Sequence, residues 1–206
     1  YHYELFEREP DAIGDLLKRQ DFDGINVTIP YKKDVLPYLD EIDPLALRLG
    51  AVNTIVKRNG KLFGYNSDYY GFRSMVLRTR IDVAGKKVLV LGSGGASVTV
   101  RAVLEDLGAK VIIVSRSGEN NYENLHLHRD TSVIVNTTPL GMHPKGDECP
   151  PLDYTLLTSQ HLLYDVIYNP AKTLFLQRGE EHGATISSGM DMLIGQAKAA
   201  WRIWNR

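Results

Sequence analysis

At 206 residues, 43% hydrophobic and 24% charged, the chain has the size and composition of a globular protein with one large domain or two small ones. A net charge of −1 gives no electrostatic basis for binding nucleic acid or a membrane surface, and no apolar run approaches a membrane span. The single cysteine, Cys149, cannot close an internal disulfide or build a cysteine metal site, so a reducing, cytoplasmic setting is expected.

In chain order, Tyr1, Tyr3 and Leu5 alternate with His2 and Glu4 and predict a strand. Pro10 and Asp11 then open a helix through Ile13, Leu16 and Leu17. Gly24 to Thr28 is a second short strand ended by Pro30, and Lys32 and Lys33 begin a helix toward Leu39. Leu45 to Leu49 is a helical turn closed by Gly50. Residues 51–58 and 61–66 form two strands about Asn59-Gly60, a dipeptide suited to a two-residue hairpin. A helix from Tyr69 to Arg80 leads to the polar, glycine-containing stretch 82–87, where the sequence places a domain boundary.

Val88 to Arg116 reads as a strand, glycine turn, helix and second strand. Val88 to Leu91 and Val111 to Val114 are short aliphatic runs of the kind buried on both faces of a parallel sheet. Between them, Val100, Val103, Leu104 and Leu107 recur at helical spacing, and Gly108 ends the helix. At the first corner, Gly92-Ser93-Gly94-Gly95 lets backbone approach a pyrophosphate while the N–H groups and positive end of the helix face the anion. Ser97 occupies the place of the usual third glycine. After the second strand, Ser115-Arg116-Ser117 offers a guanidinium and two hydroxyls where an NAD enzyme commonly carries an acidic residue, so NADP is the expected cofactor.

Ser132 to Val135, Leu162 to Ile167 and Ala184 to Ile186 continue the sheet. Asn136 to Met142 is the loop at a strand's carboxyl end, the edge where a doubly wound sheet holds its ligand. Thr173 to His182 is a helix. A last helix from Met190 to Trp204 carries an apolar stripe of Leu193, Ile194, Ala197, Trp201 and Trp204, expected to pack on the first domain. His126 and His128 read as exposed side chains, and no metal is expected.

Five segments stand in a fixed order: Asn26-Val27-Thr28-Ile29-Pro30-Tyr31-Lys32, Gly50-Ala51-Val52-Asn53-Thr54, Gly64-Tyr65-Asn66-Ser67-Asp68, Asn136-Thr137-Thr138-Pro139-Leu140-Gly141-Met142 and Met192-Leu193-Ile194-Gly195-Gln196-Ala197. Together they resemble the shikimate dehydrogenase family. The resemblance implies an α/β enzyme with a small substrate-binding catalytic domain at 1–82, onto which 188–206 pack back, and a Rossmann-like doubly wound parallel-sheet domain at 83–187. It implies reversible NADP-dependent reduction of 3-dehydroshikimate to shikimate, in a cleft between the domains. By position in those segments, Lys32 matches the catalytic lysine and Asp68 its partner. Thr28, Asn53, Tyr168 and Gln196 fall where the family contacts substrate hydroxyls and carboxylate. The cofactor set is Gly92, Ser93, Gly94, Gly95, Ala96, Ser115, Arg116, Ser117, Thr137, Thr138 and Gly189.

The residue chemistry agrees with the resemblance. Hydride transfer to a ketone leaves an alkoxide that needs a proton, which a positioned lysine can donate while an adjacent carboxylate holds the ammonium. Asn and Gln both donate and accept, as a polyhydroxylated ring requires. Two departures stand out. The family's opening strand and Ser-x-Ser segment, which binds the substrate carboxylate, has no counterpart here, and Asn120 stands where NADP-preferring members often carry a second basic residue. The alternatives are an NAD-dependent quinate/shikimate dehydrogenase and a non-catalytic nucleotide-binding module, acting on a small molecule as monomer or homodimer.

Overall fold

The computed structural model describes residues 2–206. Their contacts group into two units, one running up to Ser67 and taking in Ala199–Arg206, the other Asp68–Lys198.

In the first unit, a single 3-10 turn at Pro10–Ala12 leads into α1 (Ile13–Arg19). β1 (Gly24–Asn26), β2 (Glu41–Ile42), α2 (Pro44–Leu49), β3 (Thr54–Arg58) and β4 (Lys61–Tyr65) follow. Asp43 caps α2 by accepting the Leu45 N–H at 3.0 Å. Asn59 and Gly60 both take positive φ (51° and 74°), the conformation of a two-residue hairpin, and this sets the antiparallel register of β3 on β4. The sheet order is β1-β3-β4-β2, with β2 parallel to β4. Ile13, Leu17, Val35, Ala46, Val52, Ile55 and Leu62 form its core. Trp204 closes one side: its indole N–H donates to the Ile55 carbonyl at 3.0 Å, and its ring occupies the space a side chain on Gly24 would need.

Two local expectations differ here, and one strand, β2, was not expected. Residues 2–9 form no strand, and Tyr1 lies outside the described residues. Tyr3 and Leu5 are exposed, and alternation alone does not hold an unpaired strand against chain entropy. The helix expected from Lys32 is a series of turns ending in a 3-10 turn at Leu36–Tyr38, because Pro37 has no N–H to return to the Lys33 carbonyl. Two residues of β2 are too few to show a period in sequence.

The second unit contains α3 (Ser67–Arg78) from its second residue, β5 (Lys87–Leu91), α4 (Gly95–Asp106), β6 (Lys110–Val114), β7 (Val133–Asn136), β8 (Leu162–Asp165), α5 (Leu174–Glu181), β9 (Thr185–Ser187) and the first part of α6 (Met190–Trp204). The five strands are all parallel, in the order β6-β5-β7-β8-β9. The chain leaves β5 toward β6 and returns on the other side with β7, so β5 and β7 flank the switch point of a doubly wound sheet.

The division between units falls after Ser67, ahead of the polar stretch at 82–87, for a visible reason. Tyr69 donates to Asp106 at 2.6 Å, Phe72 meets the Tyr164 ring edge-on, and the Thr79 and Tyr164 hydroxyls lie 2.8 Å apart, so α3 is tied to α4 and β8. The crossover between β6 and β7 contains only a 3-10 turn, Leu125–His128, from which Leu125 and the neighbouring Tyr122 reach the sheet core.

Candidate active site

Three strand ends meet at Gly92. Its N–H donates to the Val114 carbonyl at 2.8 Å, while Thr137 gives both its N–H (2.9 Å) and its hydroxyl (2.7 Å) to the Leu91 carbonyl. Gly92 has φ +108°, and a Cβ there would stand 2.8 Å from Thr137 Oγ1 and 3.2 Å from Thr138 Cγ2. Only glycine serves at this crossing. Just beyond it the structure opens: a Cβ built on Gly94 or Gly95 meets nothing within 4 Å. Gly94 is the N-cap of α4 and brings no side chain to its first N–H groups, while Ser97 turns its hydroxyl back to the Gly94 carbonyl at 2.6 Å. Ser93 and Ala96 complete this turn. A twelve-residue helix whose N-terminus faces open space at the switch point suits a dinucleotide pyrophosphate.

Ser115, Arg116 and Ser117 follow β6 in a tight loop. The Ser115 N–H donates to the Asn120 carbonyl at 3.0 Å, and Gly118 sits so close to Ser115 Oγ that a side chain would collide with it. Arg116 and Ser117 are exposed. The Arg116 guanidinium offsets part of the rise that burial imposes on the Tyr122 hydroxyl, which places the charge near that ring. Asn120 lends its side chain to His128, 2.8 Å from Nε2.

Beneath the loop after β7 lies a cluster that the sequence reading missed. Asp165, the last residue of β8, is fully buried. Its Oδ1 accepts from the Asn136 amide (3.2 Å) and the Ile167 N–H (3.0 Å), and its Oδ2 from the Thr173 hydroxyl (2.6 Å), which also caps α5. The available signal was an acidic residue ending an otherwise apolar strand, Leu162-Leu163-Tyr164-Asp165. Burial pushes the Asp165 carboxyl up to about 6, with the three hydrogen bonds opposing. A raised carboxyl holds its proton more tightly folded than unfolded, so its contribution to stability is full below its unfolded value near 4. That contribution is lost as pH rises through about 6. Between about pH 7 and pH 5 the protein is therefore expected to gain about 1 kcal/mol relative to Asp165→Asn in urea unfolding. Identical pH dependence in the two proteins would show that the carboxyl titrates as it does unfolded.

In the first unit, Thr28, Lys32 and Asn53 come together. The Val27 N–H donates to the Asn53 carbonyl at 2.9 Å, and the Val52 N–H to the Lys32 carbonyl at 2.8 Å, which fastens the turn after β1 beside the entry to β3. Thr28 is exposed and Lys32 half-buried. Asn53 is buried, and its Oδ1 accepts the N–H (2.6 Å) and hydroxyl (3.1 Å) of Ser67, capping α3. A backbone N–H can only be met by oxygen, so the amide orientation is fixed, and Nδ2 is left with no hydrogen-bond partner among the described residues. Asp68 follows Ser67 directly and is buried, at 8% exposure. Ser67 itself was read only as part of a motif.

Tyr168 is exposed beyond β8. Gly189 bonds its N–H to the Ile167 carbonyl at 3.0 Å and lies against Val166 too closely for any side chain. Gln196 lies on α6, where its backbone passes Gly71 of α3 at a distance that only glycine permits.

Residues 1–55 match the profile of the shikimate dehydrogenase substrate-binding domain. A Clostridium beijerinckii protein named shikimate dehydrogenase (NADP(+)) is 40% identical over 218 residues, covering 98% of this chain and 80% of its own. One of the same name from Carboxydothermus hydrogenoformans is 42% identical over 96% of this chain and 77% of its own. Among solved structures, a chorismate mutase/shikimate 5-dehydrogenase fusion protein from Clostridium acetobutylicum superposes with TM-score 0.90 at 38% identity, covering 98% of this chain and 79% of that one.

Proposed function

The chain belongs to the shikimate dehydrogenase family, and from that premise we propose that it catalyses the reversible NADP-dependent reduction of 3-dehydroshikimate to shikimate. The observation that carries the nucleotide half of this reading is the turn at Gly92, where three strand ends meet and α4 opens onto free space. Functionally, 1–82 with 188–206 serve the substrate and 83–187 the dinucleotide. The substrate-binding-domain match over 1–55 and the parallel sheet from 87 to 187 support that division. A net charge of −1 suits a small-molecule substrate, and the lone Cys149 suits a reducing cytoplasm.

Gly94, Gly95 and Ala96 offer backbone N–H groups to the pyrophosphate, with Gly92, Ser93, Thr137 and Thr138 shaping the approach and Gly189 bordering it. Ser115, Arg116 and Ser117 receive the 2′-phosphate, where a guanidinium grips two oxygens at once. Bound NADPH supplies the hydride that the carbonyl carbon accepts. Lys32 Nζ gives the alkoxide its proton and takes it back in the reverse direction, with the Asp68 carboxylate orienting the ammonium. Asn53 Nδ2, fixed by the Ser67 cap, donates to a substrate hydroxyl, and Thr28, Tyr168 and Gln196 supply further polar contacts.

The test is shikimate-dependent reduction of NADP, followed through the absorbance of the reduced nicotinamide. Rapid turnover is expected. Nucleotide binding with no oxidation of shikimate or quinate would establish the non-catalytic module instead. A second reading, an NAD-dependent quinate/shikimate dehydrogenase, is favoured by Asn120, which closes its own loop and brings no second cation. Arg116→Ala decides between them: kcat/KM for NADP should fall about tenfold or more while that for NAD is unchanged. Equal loss for both cofactors, or a wild type that prefers NAD, would remove the role given to Arg116.

A further inference from the structure

We propose that Asp165 is a positioning residue for the nucleotide loop, holding Thr137 and Thr138 against the turn at Gly92 through the side chain of Asn136. The proposal rests on the reading that NADP binds at this edge of the sheet.

Asp165 and Asn136 are both fully buried at the carboxyl ends of neighbouring strands, paired in register. Asn136 Oδ1 accepts from the N–H (3.0 Å) and the hydroxyl (2.7 Å) of Thr138. Those donors fix the amide orientation, so Nδ2 must point to an acceptor. Asp165 Oδ1 is that acceptor at 3.2 Å, and among the described residues the only other one is the Leu140 carbonyl at 3.4 Å. One residue along, Thr137 is bound twice to the Leu91 carbonyl, immediately before Gly92. A continuous chain of hydrogen bonds therefore runs from Asp165 to the loop that borders the glycine turn.

A carboxylate suits this place because three donors converge on it, from Asn136, Ile167 and Thr173, and it accepts without needing to donate. Without it, the Ile167 N–H is buried with no acceptor, and the Asn136 amide is free to swing toward Leu140 and release Thr138. Asp165 reaches no reacting atom. Its effect is on where the loop stands, and the other oxygen, on Thr173, gives a control within the same residue.

The test titrates NADP calorimetrically into the wild type and into Asp165→Ala, Asp165→Asn, Asn136→Ala and Thr173→Val, with melting temperatures alongside. Asp165→Ala and Asn136→Ala should weaken NADP about tenfold or more, as displacement of a binding loop does. Their KM for NADP should rise while kcat and KM for shikimate hold. Asp165→Asn should restore affinity to within about threefold, since its oxygen can face Asn136 and Ile167 while its amide faces the Thr173 hydroxyl. Thr173→Val, which removes the α5 cap and the bond to Oδ2, should lower the melting temperature but leave NADP affinity intact. If Asp165→Ala does not fold, the contrast between Asn136→Ala and Thr173→Val decides. Wild-type affinity in Asn136→Ala and Asp165→Ala, or equal loss in Thr173→Val, would reduce Asp165 to a fold-stabilising residue. A wild type that fails to bind NADP would overturn the cofactor reading and this proposal together, whereas normal wild-type binding with indifferent variants overturns only the proposal.

Discussion

Lys32→Ala is expected to lower turnover of shikimate by about a thousandfold, the range in which a positioned acid or base acts, while NADP binding and melting temperature stay at wild-type values. Alanine keeps the Lys32 carbonyl, bonded to the Val52 N–H at 2.8 Å, so the turn after β1 stays fastened beside the entry to β3. What is lost is the proton donor for the alkoxide formed as the ketone accepts a hydride. Lys32→Arg sharpens the experiment. A guanidinium preserves the charge but does not release its proton in the working pH range, so substrate affinity should survive while turnover does not. Turnover within about threefold of wild type in Lys32→Ala would remove the acid/base role from this residue, since general acid–base catalysis contributes at least about a hundredfold.

Gly94→Val should separate the anion site from the fold. The residue has φ −82° and ψ −172°, an extended conformation that valine adopts readily, and its Cβ would meet nothing within 4 Å. The cost to stability is therefore about that of a poorer N-cap, about 1 kcal/mol. The branched side chain would nevertheless fill the space in front of the first N–H groups of α4, so NADP affinity should fall about a hundredfold or more, equivalent to about 2.7 kcal/mol. Gly92→Ala makes the informative contrast. Its positive φ and the 2.8 Å approach to Thr137 Oγ1 mean that alanine there should cost stability and binding together. Calorimetric titration with thermal melts reads both effects. Unaltered affinity in Gly94→Val would place the pyrophosphate away from this helix.

Much of the second unit was legible because its strands are short, aliphatic and buried on both faces, and its helices carry apolar residues every third or fourth position. Val88 to Leu91 and Val111 to Val114 fall inside β5 and β6, and Met190–Trp204 is α6 as expected. The first unit was less legible. Tyr3 and Leu5 alternate like a strand yet stand exposed with no neighbouring strand among the described residues, and Pro37 reshaped the helix expected after Lys32. Each failure has one origin: a local pattern states what a segment could be, and pairing or a missing N–H decides what it becomes.

The order of motifs along the chain sufficed, from sequence alone, to determine the family, the two kinds of α/β unit, the glycine turn and the arginine after the second strand, since each is a matter of residue type and spacing. Only the tertiary structure decided the rest. It attached α3 to the unit containing the parallel sheet, through Tyr69, Phe72 and Thr79. It turned the Asn53 amide so that its oxygen caps α3 and its nitrogen is left to donate. It joined Asn136 to Asp165 across 29 positions of sequence. Hydrogen bonds between residues far apart in the chain leave no periodicity to read, because their geometry exists only once the strands that carry them lie side by side.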